Sequence, residues 1–171
     1  VSVLDALIEA IRLDGSLSFA FNTLSARMQD SSVKKASTNI DSFIRLADGR
    51  CLGPRELLVE AIRLDSNISL FYDNLAGLMS EKDVATLYDG RKLSRNELFV
   101  EALRLDPKDY YTYVNFASVL NATKEVELDG RKVTYKDLAC EALRINPEFG
   151  SAYYCVAAKM AEPLSEVDFL G

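Results

Sequence analysis

Glu9-Ala10-Ile11-Arg12-Leu13-Asp14 is a phrase that this chain states four times. It returns as Glu60-Ala61-Ile62-Arg63-Leu64-Asp65, as Glu101-Ala102-Leu103-Arg104-Leu105-Asp106 and as Glu141-Ala142-Leu143-Arg144-Ile145-Asn146. The four alanines are 51, 41 and 40 residues apart. Periods of this size signal a repeat array, in which each unit buries its apolar face against its neighbours. Such an organisation favours a binding scaffold over an enzyme before any other residue is read.

The unit from Asp106 to Asn146 gives the syntax in detail. Pro107 cannot continue the preceding helix, and Asp109 is placed to cap the next one. Tyr110, Tyr113, Val114, Phe116, Ala117 and Leu120 then recur at helical spacing through Asn121, which defines a helix A. Val126-Glu127-Leu128, Asp129-Gly130 and Arg131-Lys132-Val133 read as strand, turn and strand, with Asp-Gly suited to a two-residue type I′ turn. Thr134-Tyr135-Lys136-Asp137 has the spacing of a capping box, and a helix B follows from Tyr135 to about Ile145.

The other units repeat this order. Ser94-Arg95-Asn96-Glu97 is a stronger capping box, and Gly53-Pro54-Arg55-Glu56 offers proline at the first helical position and an acid at the third. Gly49, Gly90 and Gly130 each precede the alanine of their helix B by 12 residues, so hairpin and helix B form one rigid module. The slack lies after helix A, where the first unit adds about ten polar residues, Asp30 to Asn39, read as a surface loop. The count is eight helices: a helix B, three A–hairpin–B passages and a last helix A from about Phe149 to Ala161.

Composition removes several function classes. The chain has 171 residues, 49% of them apolar, a net charge of −6 and a pI of about 4.8. An acidic chain lacks the counterion-release drive toward nucleic acid and is not drawn to anionic membranes. No apolar run approaches the ~20 residues that span a bilayer, so no membrane insertion is expected. The three cysteines, Cys51, Cys140 and Cys155, are odd in number and widely spaced. They form no disulfide framework, which points to a reducing compartment and a cytoplasmic location. The chain has no initiator Met and begins inside a repeat, which is the expectation for a fragment.

Histidine is absent altogether. That removes Ser-His-Asp and Cys-His nucleophile systems and the commonest metal ligand. Asp-Gly-Arg is no calcium loop either: Ala85-Thr86-Leu87-Tyr88-Asp89 before Gly90 lacks the alternating oxygen ligands of an EF-hand. The sequence therefore offers no catalytic residue, no metal site and no cofactor.

The pattern resembles the tetratricopeptide repeat. Tyr72, Leu75, Ala76 and Tyr113, Phe116, Ala117 match the helix A signature of that family. Phe21, Leu24, Ser25 and Tyr153, Val156, Ala157 match it with small changes. Ala61-Ile62, Ala102-Leu103 and Ala142-Leu143 match helix B, with Phe99 at its aromatic position, and Pro107 and Pro147 match the closing proline. Units are longer than the family's because of the hairpin insertion. The small residue usual early in helix B is replaced by Pro54, Arg95 and Tyr135, so helix B is expected to start later. The resemblance implies an all-α fold, a right-handed α-solenoid of helix pairs with short β-hairpin insertions. The array covers residues 1–162, and 163–171 form a tail or the start of a further loop.

The resemblance also implies that helix A lines a concave groove. Its non-packing positions are Phe19, Asn22, Thr23 and Ala26; Leu70, Asp73, Asn74 and Gly77; Tyr111, Val114, Asn115 and Ser118; and Ser151, Tyr154, Cys155 and Ala158. Asn74 and Asn115 share the position at which related scaffolds hold a peptide backbone, where an amide supplies both donor and acceptor. No lysine or arginine stands where a carboxylate clamp would need one. The implied partner is a protein or peptide segment with an aliphatic or aromatic anchor. Arg50, Arg91 and Arg131 follow each turn glycine and are expected to lock hairpin to helix through the turn aspartates or the Glu-Ala-x-Arg acids. The alternatives are an assembly part, self-associating through the exposed ends of the array, or the interaction region of a larger enzyme.

Overall fold

The computed structural model describes residues 2–30, 43–46 and 48–160. Among them are eight helices and three two-stranded antiparallel sheets. In chain order these are α1 (Val3–Leu13), α2 (Ser18–Gln29), β1 (Ile44–Arg45), β2 (Cys51–Leu52), α3 (Pro54–Leu64) and α4 (Ser69–Gly77). Then come β3 (Val84–Thr86), β4 (Lys92–Ser94), α5 (Arg95–Leu105), α6 (Tyr110–Val119), β5 (Val126–Leu128), β6 (Arg131–Val133), α7 (Tyr135–Ile145) and α8 (Gly150–Met160). The fold is mostly helical, and the A–hairpin–B order read from the sequence is the observed one. The expected loop at 31–39 and the tail at 163–171 lie outside the described residues.

Local chemistry sets the helix starts. Ser2, Ser94 and Thr134 each accept from the backbone N–H three residues on, and the acid there, Asp5, Glu97 or Asp137, returns a bond to the cap N–H. Gly53 has no side chain to give, so only half of that exchange forms, with Glu56 accepting from the Gly53 N–H at 3.0 Å. Asp109 accepts from the Tyr111 N–H and caps α6. Helix B begins at Pro54, Arg95 and Tyr135, the positions where the repeat family carries its small residue.

The three hairpins close in two ways. At Asp129-Gly130 both residues have positive φ, 51° and 74°, and Leu128 pairs with Arg131 across a two-residue turn. This is the type I′ turn expected from Asp-Gly. At the other two sites only Gly49 and Gly90 have positive φ. There the loop holds three residues: the Gly90 N–H donates to the Leu87 carbonyl at 3.0 Å, and the Leu87 N–H to the Arg91 carbonyl at 2.8 Å. Leu46 and Arg50 repeat that pattern around Gly49. It is a type I turn closed by a left-handed glycine.

This difference locates the period change. From the helix A aromatic to the inward hairpin leucine the spacing is 15 in both complete units, Tyr72 to Leu87 and Tyr113 to Leu128. The unit of 41 residues is longer than the unit of 40 by Tyr88, the extra turn residue. In the first unit Phe21 precedes Leu46 by 25, ten more than elsewhere. All three leucines are buried, so each hairpin is anchored by the same side chain whichever turn closes it.

The contacts divide the chain into two compact units, Val1–Leu105 and Asp106–Gly171. In the first, α2 packs on α3 and α4 on α5, each helix A against the helix B beyond its hairpin. Leu24, Leu57, Ile62, Phe71, Tyr72, Leu98 and Phe99 are its fully buried large side chains. Ala61 and Ala102 of the repeated phrase are fully buried too, as is Ala142 in the second unit, so the phrase is packing chemistry. Ser25, standing where other units have alanine, is buried because its hydroxyl donates to the Pro54 carbonyl at 2.8 Å. Arg55 of α3 donates to the Leu78 carbonyl at the end of α4 and pairs with Asp83 at 2.7 Å, placing a cation at a helix C-terminus. In the second unit α6 packs on α7 and α8 on α7, around Phe116, Leu120 and Leu138.

Candidate functional site

Each helix A carries its signature aromatic on a buried stripe. On α4 that stripe is Phe71, Tyr72, Asp73, Leu75 and Ala76. On α6 it is Thr112, Tyr113, Val114, Phe116 and Ala117. The residue after the aromatic is therefore inside in three units, as Asn22, Asp73 and Val114. Of the residues assigned to the groove from sequence, Asp73 and Val114 are thus core side chains. The stripe is one residue wider than the repeat signature implies.

The residue two before the aromatic behaves oppositely. Phe19 is 54% exposed, Leu70 40% and Tyr111 54%, at the same repeat position on α2, α4 and α6. In the first unit Phe19 stands edge-on to buried Phe71, with ring centroids 5.1 Å apart. In the second unit Tyr111, Tyr110 and Phe149 form a triangle of rings 4.4 to 4.9 Å apart. The Tyr110 hydroxyl pushes the neighbouring Tyr111 phenol above its usual range. Tyr154 on α8 is 76% exposed.

The two asparagines singled out from sequence are placed differently. The Asn74 amide, half-buried, donates to Asn22 Oδ1 at 2.8 Å, across from α4 to α2. Asn22, which stands one position earlier in its repeat than Asn74, was not recognised as its partner in the sequence. Its signal was an amide at a position where the other units hold Asp73 and Val114. Asn115 is exposed on α6, and Ser118, also exposed, donates to the Asn115 carbonyl at 2.7 Å. Cys155 is buried and Cys140 exposed.

A second constellation joins hairpin to helix B. The Arg50 guanidinium reaches Asp48 at 2.6 Å and Glu60 at 3.3 Å, while Arg63 reaches the same Glu60 at 2.8 Å. Arg91, Asp89, Glu101 and Arg104 repeat this set with the same distances. Asp48 and Asp89 also accept the backbone N–H of their arginine, which fixes the turn. Arg63 first, then Arg50, holds the Glu60 carboxyl below the usual range against the opposing effect of burial. Burial raises the Tyr72 phenol, which lies in hydrogen-bonding reach of Arg91 and donates to the Ser66 carbonyl at 3.2 Å. In the third hairpin Arg131 acts on Glu141 only at longer range, and Arg144 is the direct partner. The locking role expected of these arginines is met by Arg50 and Arg91.

No protein-family model matches the chain, and no curated protein matches it either. Among the described residues no helix is long and apolar enough to cross a membrane. Among them also, no three of Cys, Asp and Glu lie close enough together to hold a metal ion.

Proposed function

We propose that the chain is a non-catalytic protein-binding scaffold of tetratricopeptide type, an α-solenoid whose A helices hold an extended peptide or partner segment. The observation that carries this reading is the exposed apolar side chain at one repeat position of successive A helices: Phe19, Leu70 and Tyr111. An array conserves its packing phrase between units and varies the faces it offers to partners. Here Glu-Ala-Ile/Leu-Arg stays the same, while the helix A surface changes from unit to unit. Asn115, Ser118 and Tyr154 surround the apolar positions with donors, acceptors and a further ring. Asn74, tied to Asn22, keeps one amide hydrogen and its carbonyl for a peptide backbone.

The test is selection of peptides from a random library against the folded chain, repeated with Leu70→Ser and Tyr111→Ser together. The expected ligands carry an aliphatic or aromatic anchor, bind with little dependence on salt, and are lost on the double variant. Size-exclusion over a range of concentrations separates the rival: an assembly part self-associates, and a monomeric scaffold does not.

A further inference from the structure

A cavity of about 470 Å³ opens between α1, α2, the β1–β2 hairpin and α3 in the first unit. Four guanidiniums line it: Arg12 from α1, Arg45 and Arg50 from the hairpin, and Arg63 from α3. The lining carboxylates are Asp48 and Glu60. Arg12 is answered from outside the cavity by Glu9. Arg50 and Arg63 share Glu60, with Asp48 completing the balance. Arg45, exposed on β1, has no bonded partner among the described residues, so the cavity carries an excess positive charge on a chain of net −6. Ile8, Ile11 and Phe21 supply an apolar wall beside these cations.

The next hairpin explains why the space is open. There the ring at the same repeat position is Tyr72, whose oxygen lies beside Arg91. Phe21 has no such oxygen, so Arg50 lacks the hydroxyl that its counterpart meets. The third hairpin differs again: its cavity is lined by Arg131, Lys132 and Arg144 against Asp129, Asp137 and Glu141, a balanced set.

We infer that the cavity bounded by Arg12, Arg45, Arg50 and Arg63 is a binding site for an oxyanion, a carboxylate or phosphate group seated where the phenol oxygen sits in the second hairpin. Guanidinium forks match the two oxygens of such groups, and a volume of a few hundred Å³ with one apolar wall suits a small ligand or one side chain of a longer one. The site lies apart from the exposed apolar residues of the A helices and does not depend on them.

The test is an NMR titration of the whole chain with two probes, inorganic phosphate and N-acetyl-leucyl-aspartate, following the amides of Arg45, Leu46 and Arg50. Saturable shifts confined to these amides are expected. Tighter binding of the dipeptide assigns the site to a peptide-borne acid with an apolar neighbour; equal or tighter binding of phosphate assigns it to a free oxyanion. Arg45→Gln, at an exposed position without a bonded partner, should weaken binding about tenfold, the loss of one charge-assisted contact. Phe21→Tyr should weaken it by restoring the internal oxygen, and Arg131→Gln should leave it unchanged. Shifts of equal size around Arg131 and Arg144, no saturation by either probe, or wild-type binding by Arg45→Gln would each overturn the inference.

Discussion

The first and third hairpins carry the same Asp-Gly-Arg sequence and put it to different use. In the first, the aspartate stays in ordinary backbone space and grips its arginine twice, turning the guanidinium toward Glu60. In the third, Asp129 occupies the left-handed region at φ 51°, and Arg131 makes no direct ion pair among the described residues. The exposure of the repeated acid follows. Glu60 and Glu101, each held by two arginines, are 10% and 17% exposed, while Glu141 is 35% and Glu9, which has only Arg12, is 52%. One extra turn residue, Ala47 or Tyr88, thus decides how deeply an acid eleven or more residues away is drawn in.

The largest effect that separates the two hairpins is at the acid itself. Glu60→Gln leaves two guanidiniums around a half-answered buried amide and should cost about 1–3 kcal/mol in denaturant unfolding. Glu141→Gln, with one exposed partner, should cost under about 1 kcal/mol. Equal costs would break the link between hairpin geometry and acid burial. The turn glycines come next: Gly49→Ala, Gly90→Ala and Gly130→Ala each place a Cβ at φ between 74° and 88° in open space. The penalty is backbone strain alone, ~1–2 kcal/mol at every site. Asp129→Gly should be neutral or stabilising by up to ~1 kcal/mol, because it relieves a left-handed residue. Asp89→Gly should destabilise, because it releases Arg91.

Acid should discriminate the hairpins less strongly. The Glu60 and Glu101 carboxyls are held low by Arg63 and Arg104 respectively. A carboxyl whose folded pKa is lowered adds stability above its unfolded value, ~4.3, and that stability is lost as pH falls through the folded pKa. The chain should therefore lose stability below about pH 4.3, and Glu60→Gln should flatten that part of the curve more than Glu141→Gln. The smallest effect is deletion of Tyr88, which converts the second turn to the two-residue form. The hairpin should persist, while the Glu101 carboxyl titrates closer to its usual range by NMR.

Much of this was legible because repetition supplies its own controls. Helix A and B boundaries followed from caps and periodicity, and Val126–Leu128 and Arg131–Val133 were placed to the residue. The three-residue turns were hidden because Asp-Gly is compatible with both closures. The inward leucine, which sets the count before glycine, shows itself only through burial. The candidate surface was half legible. Leu70, Tyr111 and Tyr154 are exposed as read, whereas Asp73 and Val114 are inside because α4 and α6 are packed on more than one side. The Asn22–Asn74 bond and the Arg45 cavity join residues tens of positions apart, and periodicity within one helix carries no signal for such meetings.

The account rests on a division of labour: the repeated phrase and its arginines hold the scaffold, and the unrepeated surface of helix A holds the partner. Calorimetric titration of one library-selected peptide into three proteins tests it directly: wild type, Glu60→Gln, and Leu70→Ser with Tyr111→Ser. The account predicts that Glu60→Gln unfolds earlier yet binds within a few-fold of wild type below its transition, and that the double variant unfolds normally and loses binding by a hundredfold or more, roughly 3 kcal/mol. Full affinity in the double variant would contradict it.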